Sequence, residues 1–248
     1  VRLRRRPATQ LAARLDDPEL AGRTGMFTSW TGTYKGARIT AVSGGSGSPE
    51  AELCMVEFLE HTDATTFLRV GGSGGTHEAV RPGDLVIAKG IVRDEGLSAA
   101  YVGGGWPAVC DPEVVMALSE AAHRLGVPYH VGLTRSVDSD FVQGGRPSVR
   151  GYLRPHQTEV VDDCRRFGIL NSDREAAAIV TLATLFGRRG GSVCSVADNI
   201  ATGEPFVAGA GHAAAIAVAL EGVAVLAGMD RAKARQQATR WLPHMGLE

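Results

Sequence analysis

Along this chain, short runs of β-branched and apolar residues alternate with longer stretches whose apolar positions recur at helical spacing. The short runs predict strands at Ala37–Ser43, Thr66–Val70, Asp84–Ala88, Tyr129–Thr134 and Gly191–Ala197, bounded by Gly, Pro or Asp. The longer stretches predict helices at Ala8–Leu15, Pro49–His61, Pro112–Leu125, Gln157–Phe167, Asp173–Phe186 and Gly211–Met229. Within Pro49–His61, for example, Leu53, Val56 and Leu59 fall near a helical repeat. Pro49 and Pro112 stand where a helix's first turn tolerates proline, because the N–H there has no intrahelical partner. Strands alternating with helices predict an α/β fold whose mostly parallel sheet is flanked by helices. No linker or internal repeat divides the pattern, so residues 1–248 are read as one domain.

Composition narrows the classes. Lys+Arg 26 against Asp+Glu 27 gives a net charge of −1, which disfavours a nucleic-acid polymer as partner, since such binding rests on many phosphate contacts. The basic cluster Arg2, Arg4, Arg5 and Arg6 reads as a solvated terminus. The 4 cysteines, Cys54, Cys110, Cys164 and Cys194, have neither C-x-x-C spacing nor a zinc-like pattern. They read as reduced thiols, which suits a cytoplasmic protein. The longest apolar stretch is read as Ala213–Leu220, too short to cross a bilayer, and no signal-peptide core follows the first arginines, so no membrane partner is expected.

Four segments carry candidate chemistry. Ser43-Gly44-Gly45-Ser46-Gly47-Ser48-Pro49 lies between a strand and a helix, where exposed backbone N–H groups and the helix dipole suit an anion. Ordinary turn chemistry explains it equally well. In Phe67–Gly75 an apolar strand delivers Arg69 to a run almost without side chains, a good anion clamp, or else a surface ion pair. Asn171–Ala177 sets Asp173 and Glu175 before an alanine-rich helix, which by itself reads as capping. In Val196–Glu204 a strand runs straight into Asp198, either a site acid or a turn residue.

The order and spacing of these segments resemble the nucleoside phosphorylase superfamily, closest to the uridine phosphorylases, from about Met26 to the C-terminus. The strongest stretch is Thr66–Asp94, TFLRVGGSGGTHEAVRPGDLVIAKGIVRD. Asp140–Arg146 is similar to the loop that recognises uracil, Asn171–Ala177 to the segment ending in Met-Glu-Ser/Ala, and Val196–Thr202 to the Ser-Asp-His-Ile-Arg-Thr segment of the purine enzymes. The resemblance implies one domain with a central mixed, partly barrel-like sheet surrounded by helices. It implies Glu175 on the ribose hydroxyls, Arg69 on phosphate, and Gly71, Gly72 and Ser73 in the turn lining phosphate and base. Asp173 and Arg174 would belong to the substrate-binding set. Phe141 would lie by the base, Gln143 and Arg146 would bond a pyrimidine's edge, and Asp198 would match the purine enzymes' general acid. It further implies a homodimer or trimer of dimers, no cofactor, and inorganic phosphate as co-substrate.

The departures from the family pattern concern phosphate. Leu3-Arg4-Arg5-Arg6-Pro7 stands near the place of a Gly-Asp-Pro-x-Arg loop, and Gly25, with Arg23 nearby, stands where an arginine reaches across a dimer interface. Gly72 replaces a hydroxyl residue and Arg174 a methionine. A phosphate dianion needs paired donors; Arg4–Arg6 or Arg174 would substitute, and a Gly-Asp-Pro-x-Arg segment upstream of Val1 would favour phosphorolysis. The implied activity is phosphorolysis of uridine or a related nucleoside to base and ribose 1-phosphate. The alternatives are a nucleosidase or specialised ribosyl-transferring enzyme on the same site, and a noncatalytic nucleoside-binding homologue.

Overall fold

The computed structural model describes residues 7–43 and 45–246. A short helix α1 (Pro7–Ala12) leads into a three-stranded antiparallel sheet of β1 (Asp16–Thr24), β2 (Phe27–Tyr34) and β3 (Ala37–Ser43), in that order. Helix α2 (Ser48–His61) then hands the chain to the main sheet. Its members are β4 (Thr66–Gly75), β5 (Leu85–Asp94), β6 (Ala108–Val109), β7 (Tyr129–Val137), β8 (Ile169–Asp173) and β9 (Arg189–Asn199). Helices α3 (Leu97–Tyr101), α4 (Pro112–Arg124), α5 (Val160–Arg166), α6 (Ala176–Leu185) and α7 (His212–Gln236) connect or follow them.

The sheet runs β6-β5-β7-β8-β4-β9, and β9 pairs again with β5. That extra pairing closes β5, β7, β8, β4 and β9 into a five-stranded barrel, which removes the exposed edges a flat sheet would leave. Pairing is mixed: β4 with β9, β5 with β7 and β7 with β8 are parallel, whereas β4 with β8 and β5 with β9 are antiparallel. The α/β fold with a barrel-like mixed sheet is therefore present.

Alternate residues of the strands pack on opposite faces, both of which are buried. On β5, Leu85 and Ile87 point outward into a core with α4 (Val114, Leu118, Ala121) and α7 (Val218, Leu226, Met229). Val86, between them, points inward to Val80 and Val196. Ala176, Ala177 and Val180 of α6 cover another side, against Ala88 and Ile91. Ile216 and Leu220 of α7 meet Leu15, Tyr34 and Ile39, which fastens the small sheet to the barrel.

Under the barrel's mouth lies a polar layer. Thr134 donates to Asn171 at 2.8 Å, Asn171 donates to Ser73 at 2.9 Å, and Ser73 donates to the Ser195 carbonyl at 3.0 Å. Each of these side chains is buried, and a buried polar group left without a partner costs about 1–3 kcal/mol. The chain of bonds ties β7, β8, β4 and β9 together directly below the residues with candidate chemistry.

Three sequence expectations need correction. The expected helix Asp173–Phe186 starts at Ala176, because Ile169–Asp173 is a strand with alternating burial. The expected helix Gln157–Phe167 starts at Val160, after a 3-10 turn at Pro155–Gln157. The apolar stretch around Ala213–Leu220 belongs to a helix of 25 residues, with mean hydropathy 1.8 over its most apolar window, long enough to cross a membrane by length and composition. Of that window 61% is buried inside the fold, the position of a core helix, and Glu221 interrupts the apolar run within it. Glu221 is held by Lys35 at 2.6 Å and by the Tyr34 hydroxyl at 3.3 Å.

Candidate active site

The carboxyl ends of β4 and β9, the start of α6, the turn before α2 and the loop after β7 converge on one cleft of about 320 Å³. Arg69, Gly72, Ser73, Arg146, Asp173, Arg174, Glu175 and Asp198 all border it. Ser46, Asp140 and Phe206 complete the polar and aromatic rim.

Arg69 is delivered by β4 and turns back over its own strand. Gly71 makes this possible: a Cβ there would lie 1.9 Å from Arg69 Nη1. The guanidinium meets Glu175 Oε2 at 2.5 Å and Asp173 Oδ2 at 3.5 Å, and Nη1 donates to the Val70 carbonyl at 3.0 Å. Burial opposes its charge, yet Glu175 and the other negative groups around it outweigh that cost and hold its pKa above the ordinary value.

Asp173 and Glu175 divide the work that sequence alone assigned to both. Asp173 Oδ2 accepts from the Ala176 N–H at 3.0 Å, and Oδ1 accepts from the Ser136 hydroxyl at 2.6 Å, so Asp173 caps α6. Burial raises the pKa of its carboxyl, with Arg69 opposing. Glu175 is thereby freed from capping. Its Oε1 accepts from the Gly47 N–H at 2.7 Å, so the glycine-rich turn aims a backbone donor at a carboxylate of the protein itself. Gly47 sits at φ 111°, a left-handed conformation that glycine adopts without steric cost. Ser48 donates to the Arg174 carbonyl at 2.8 Å, which locks the same turn to the segment carrying Glu175.

On the facing wall, Asp198 Oδ2 accepts from Arg146 Nη2 at 2.7 Å. Asp198 is buried, and Gly74 clears its place: a Cβ on Gly74 would lie 2.8 Å from Asp198 Oδ1. The turn role open to Asp198 is taken by its neighbour instead. Asn199 Oδ1 accepts from the Ala201 N–H at 2.9 Å, and its amide donates to the His77 and Val80 carbonyls. The segment thus separates a structural amide from a carboxylate facing the cleft.

Two residues expected beside the base do not line this cleft. Phe141 is 59% exposed and does not border the cleft; the aromatic side chain that does is Phe206, in the loop after β9. Gln143 is occupied in holding its own loop: Oε1 accepts from the Asp138 and Ser139 N–H groups, and Nε2 donates to the Asp94 carbonyl. Arg135, paired with Asp94, also donates to the Gln143 carbonyl at 2.6 Å. Nothing local in the sequence marks Phe206 over Phe141, because both are single aromatics in loops. Gly71 supports Arg69 rather than the rim, Gly72 opens onto the cleft with no neighbour within 4 Å of an added Cβ, and Ser73 belongs to the polar layer. Arg4–Arg6 and Gly44 fall outside the described residues.

Cys194, beneath Arg69, is no candidate nucleophile: burial pushes its thiol up to about 12, so it stays protonated at neutral pH. All 4 cysteines are free thiols. Among the described residues no cluster of His, Cys, Asp and Glu could hold a metal ion.

Comparison with known proteins places this geometry. Residues 6–227 match the family model described as the phosphorylase superfamily. A uridine phosphorylase from Thermococcus kodakarensis is 42% identical over 219 residues, 88% of this chain and 78% of that protein. A uridine phosphorylase from Escherichia coli is 30% identical, covering 77% of this chain and 75% of its own. A guanosine phosphorylase from Halorubrum lacusprofundi is 31% identical, covering 78% and 75%. With the family model covering most of its length and a uridine phosphorylase 42% identical to it, this chain belongs to the phosphorylase superfamily.

Proposed function

We propose that the chain catalyses phosphorolysis of uridine or a related nucleoside, giving base and ribose 1-phosphate. The observation that carries this is the pairing of Arg69 with Glu175 at 2.5 Å on one wall of the cleft, opposite Arg146 with Asp198 at 2.7 Å on the other. Glu175 accepts hydrogen bonds from the 2′- and 3′-hydroxyls of the ribose, and Arg69 faces phosphate. A phosphate oxygen forms its bond to C1′ as the C1′–N bond breaks, and that bond's electrons leave with the base. The sugar is cationic in between, so a fixed carboxylate beside it stabilises the transition state more than the ground state. Arg146 donates to the departing pyrimidine anion; a purine would instead take a proton from the Asp198 side. No cofactor is required, and the whole chain serves as one cytoplasmic unit, in keeping with its free thiols.

One observation favours a second reading. Arg69 already faces two carboxylates, and Gly72 supplies no hydroxyl beside it. A nucleosidase or ribosyl-transferring enzyme would use the same sugar site with another nucleophile. Release of base from uridine, inosine and adenosine, followed chromatographically with and without phosphate, separates the two. Phosphate-dependent release is expected; phosphate-independent release would replace phosphorolysis by hydrolysis.

We also propose at least a homodimer, with a trimer of dimers as the larger form. In support, strand β1 is exposed throughout, and Leu20, Met26, Val42, Leu53 and Val56 of the small sheet and α2 present apolar side chains to solvent. Sedimentation at micromolar concentration is expected to give a species at least twice 26.0 kDa; a monomer alone would refute this.

A further inference from the structure

Three arginines border the cleft, and they differ in what neutralises them. Arg69 has Glu175 at 2.5 Å, and Arg146 has Asp198 at 2.7 Å. Arg174 has one carboxylate oxygen within 4.0 Å among the described residues, that of the exposed Asp140, and it lies at 4.0 Å. Its close partners are neutral: the Ser46 hydroxyl at 3.3 Å from Nη1 and the Asp138 carbonyl at 3.1 Å from Nη2. Its Nε is buried without a partner. Its side chain is one third exposed, so the charge is partly desolvated yet open to the cleft. A cation in that position attracts an anion more strongly than one in bulk water.

The surroundings define which anion. Gly47 has no side chain; a Cβ there would lie 3.3 Å from Arg174 Nη2 and 3.5 Å from Glu50 Oε2, so its absence keeps that edge of the fork clear, with the Glu50 carboxylate nearby. Ser46 adds a hydroxyl donor on the same side. A planar fork with a hydroxyl beside it matches an anion with several oxygens, for which a phosphoryl group is the best fit. Arg174 precedes Glu175 in the chain, so the anion would sit beside the bound sugar.

We propose that Arg174 and Ser46 form a phosphoryl-binding corner of the cleft, distinct from Arg69. It takes a phosphate dianion, either free inorganic phosphate or a phosphate ester on the substrate's sugar. The placement beside the sugar rests on the nucleoside-cleaving reading; the binding of phosphate itself does not.

Calorimetric titration of the full chain with inorganic phosphate, uridine and uridine 5′-monophosphate tests this without turnover. Arg174→Met is expected to weaken the phosphate-bearing probe about tenfold, the scale of one charge-assisted contact, and more than it weakens uridine. If the free anion is the ligand, inorganic phosphate shows the loss, and uridine 5′-monophosphate binds no better than uridine to the unchanged protein. If the ester is the ligand, uridine 5′-monophosphate binds the unchanged protein better than uridine, and Arg174→Met removes that advantage. Should Arg174→Met melt early, Ser46→Ala is expected to show the same pattern at about threefold. Unchanged affinity for both phosphate-bearing probes in the variants, or no binding of either to the unchanged protein at millimolar concentration, overturns the proposal. A phosphate loss in a protein that cleaves no nucleoside would uphold the corner and reject the proposed reaction.

Discussion

Replacing Glu175 by alanine is expected to lower kcat/KM for nucleoside cleavage by about 10²-fold or more, the scale of removing a positioned group that stabilises the transition state. Oε1 of the carboxylate accepts from the Gly47 N–H at 2.7 Å and Oε2 is ion-paired with Arg69 at 2.5 Å, so it is preorganised before substrate arrives. Folding is expected to survive, because the α6 cap is Asp173, and Arg69 keeps Asp173 and the Val70 carbonyl as partners. Glu175→Gln keeps the shape but not the charge, and is expected to fall between the two. Steady-state kinetics paired with thermal melting reads both effects. Normal turnover in Glu175→Ala would remove the sugar-binding role; a collapsed melting temperature would mean that the carboxylate serves the fold.

The second large effect concerns the base. Arg146→Ala is expected to cost about 10²-fold on uridine, because a pyrimidine anion then leaves without its charged donor. Asp198→Asn is expected to cost about tenfold on uridine, through a misplaced Arg146, since the two side chains meet at 2.7 Å. The pair behaves as one element, so the double variant should lose less than the product of the single losses. A different outcome rejects the pyrimidine preference: uridine cleavage spared by Arg146→Ala together with inosine cleavage abolished by Asp198→Asn. Indifference of every nucleoside to both changes would move the base out of this wall.

What the sequence disclosed depended on how far each signal was local. β3 has the bounds read from its β-branched run, and α2 and α4 start within a residue of their prolines. β8 was hidden because Asn171, Ser172 and Asp173 are polar, and their burial comes from the barrel rather than from their own pattern. β1 was hidden for the opposite reason: all of it is exposed, and Pro18 interrupts it. In the cleft, Arg69 and Asp198 stand out because each lies at or just beyond the end of a predicted strand, whereas the sugar role of Glu175 is implied only by the family resemblance, its own pattern reading as a cap. The base-side loop does not stand out. Gln143 has the right chemistry for a base edge, but three backbone groups compete for it, and only the folded loop shows that they do. The division of labour between Asp173 and Glu175 likewise required coordinates, since both carboxylates suit a helix start equally well.

The central claim is that phosphate is the nucleophile at C1′ in the cleft between Arg69 and Arg146. Phosphorus-31 NMR of the full chain with uridine and inorganic phosphate tests it most directly. A growing ribose 1-phosphate signal that matches released uracil mole for mole and is lost with Glu175→Ala is expected. Uracil released alongside free ribose, with the inorganic phosphate signal unchanged, would contradict it.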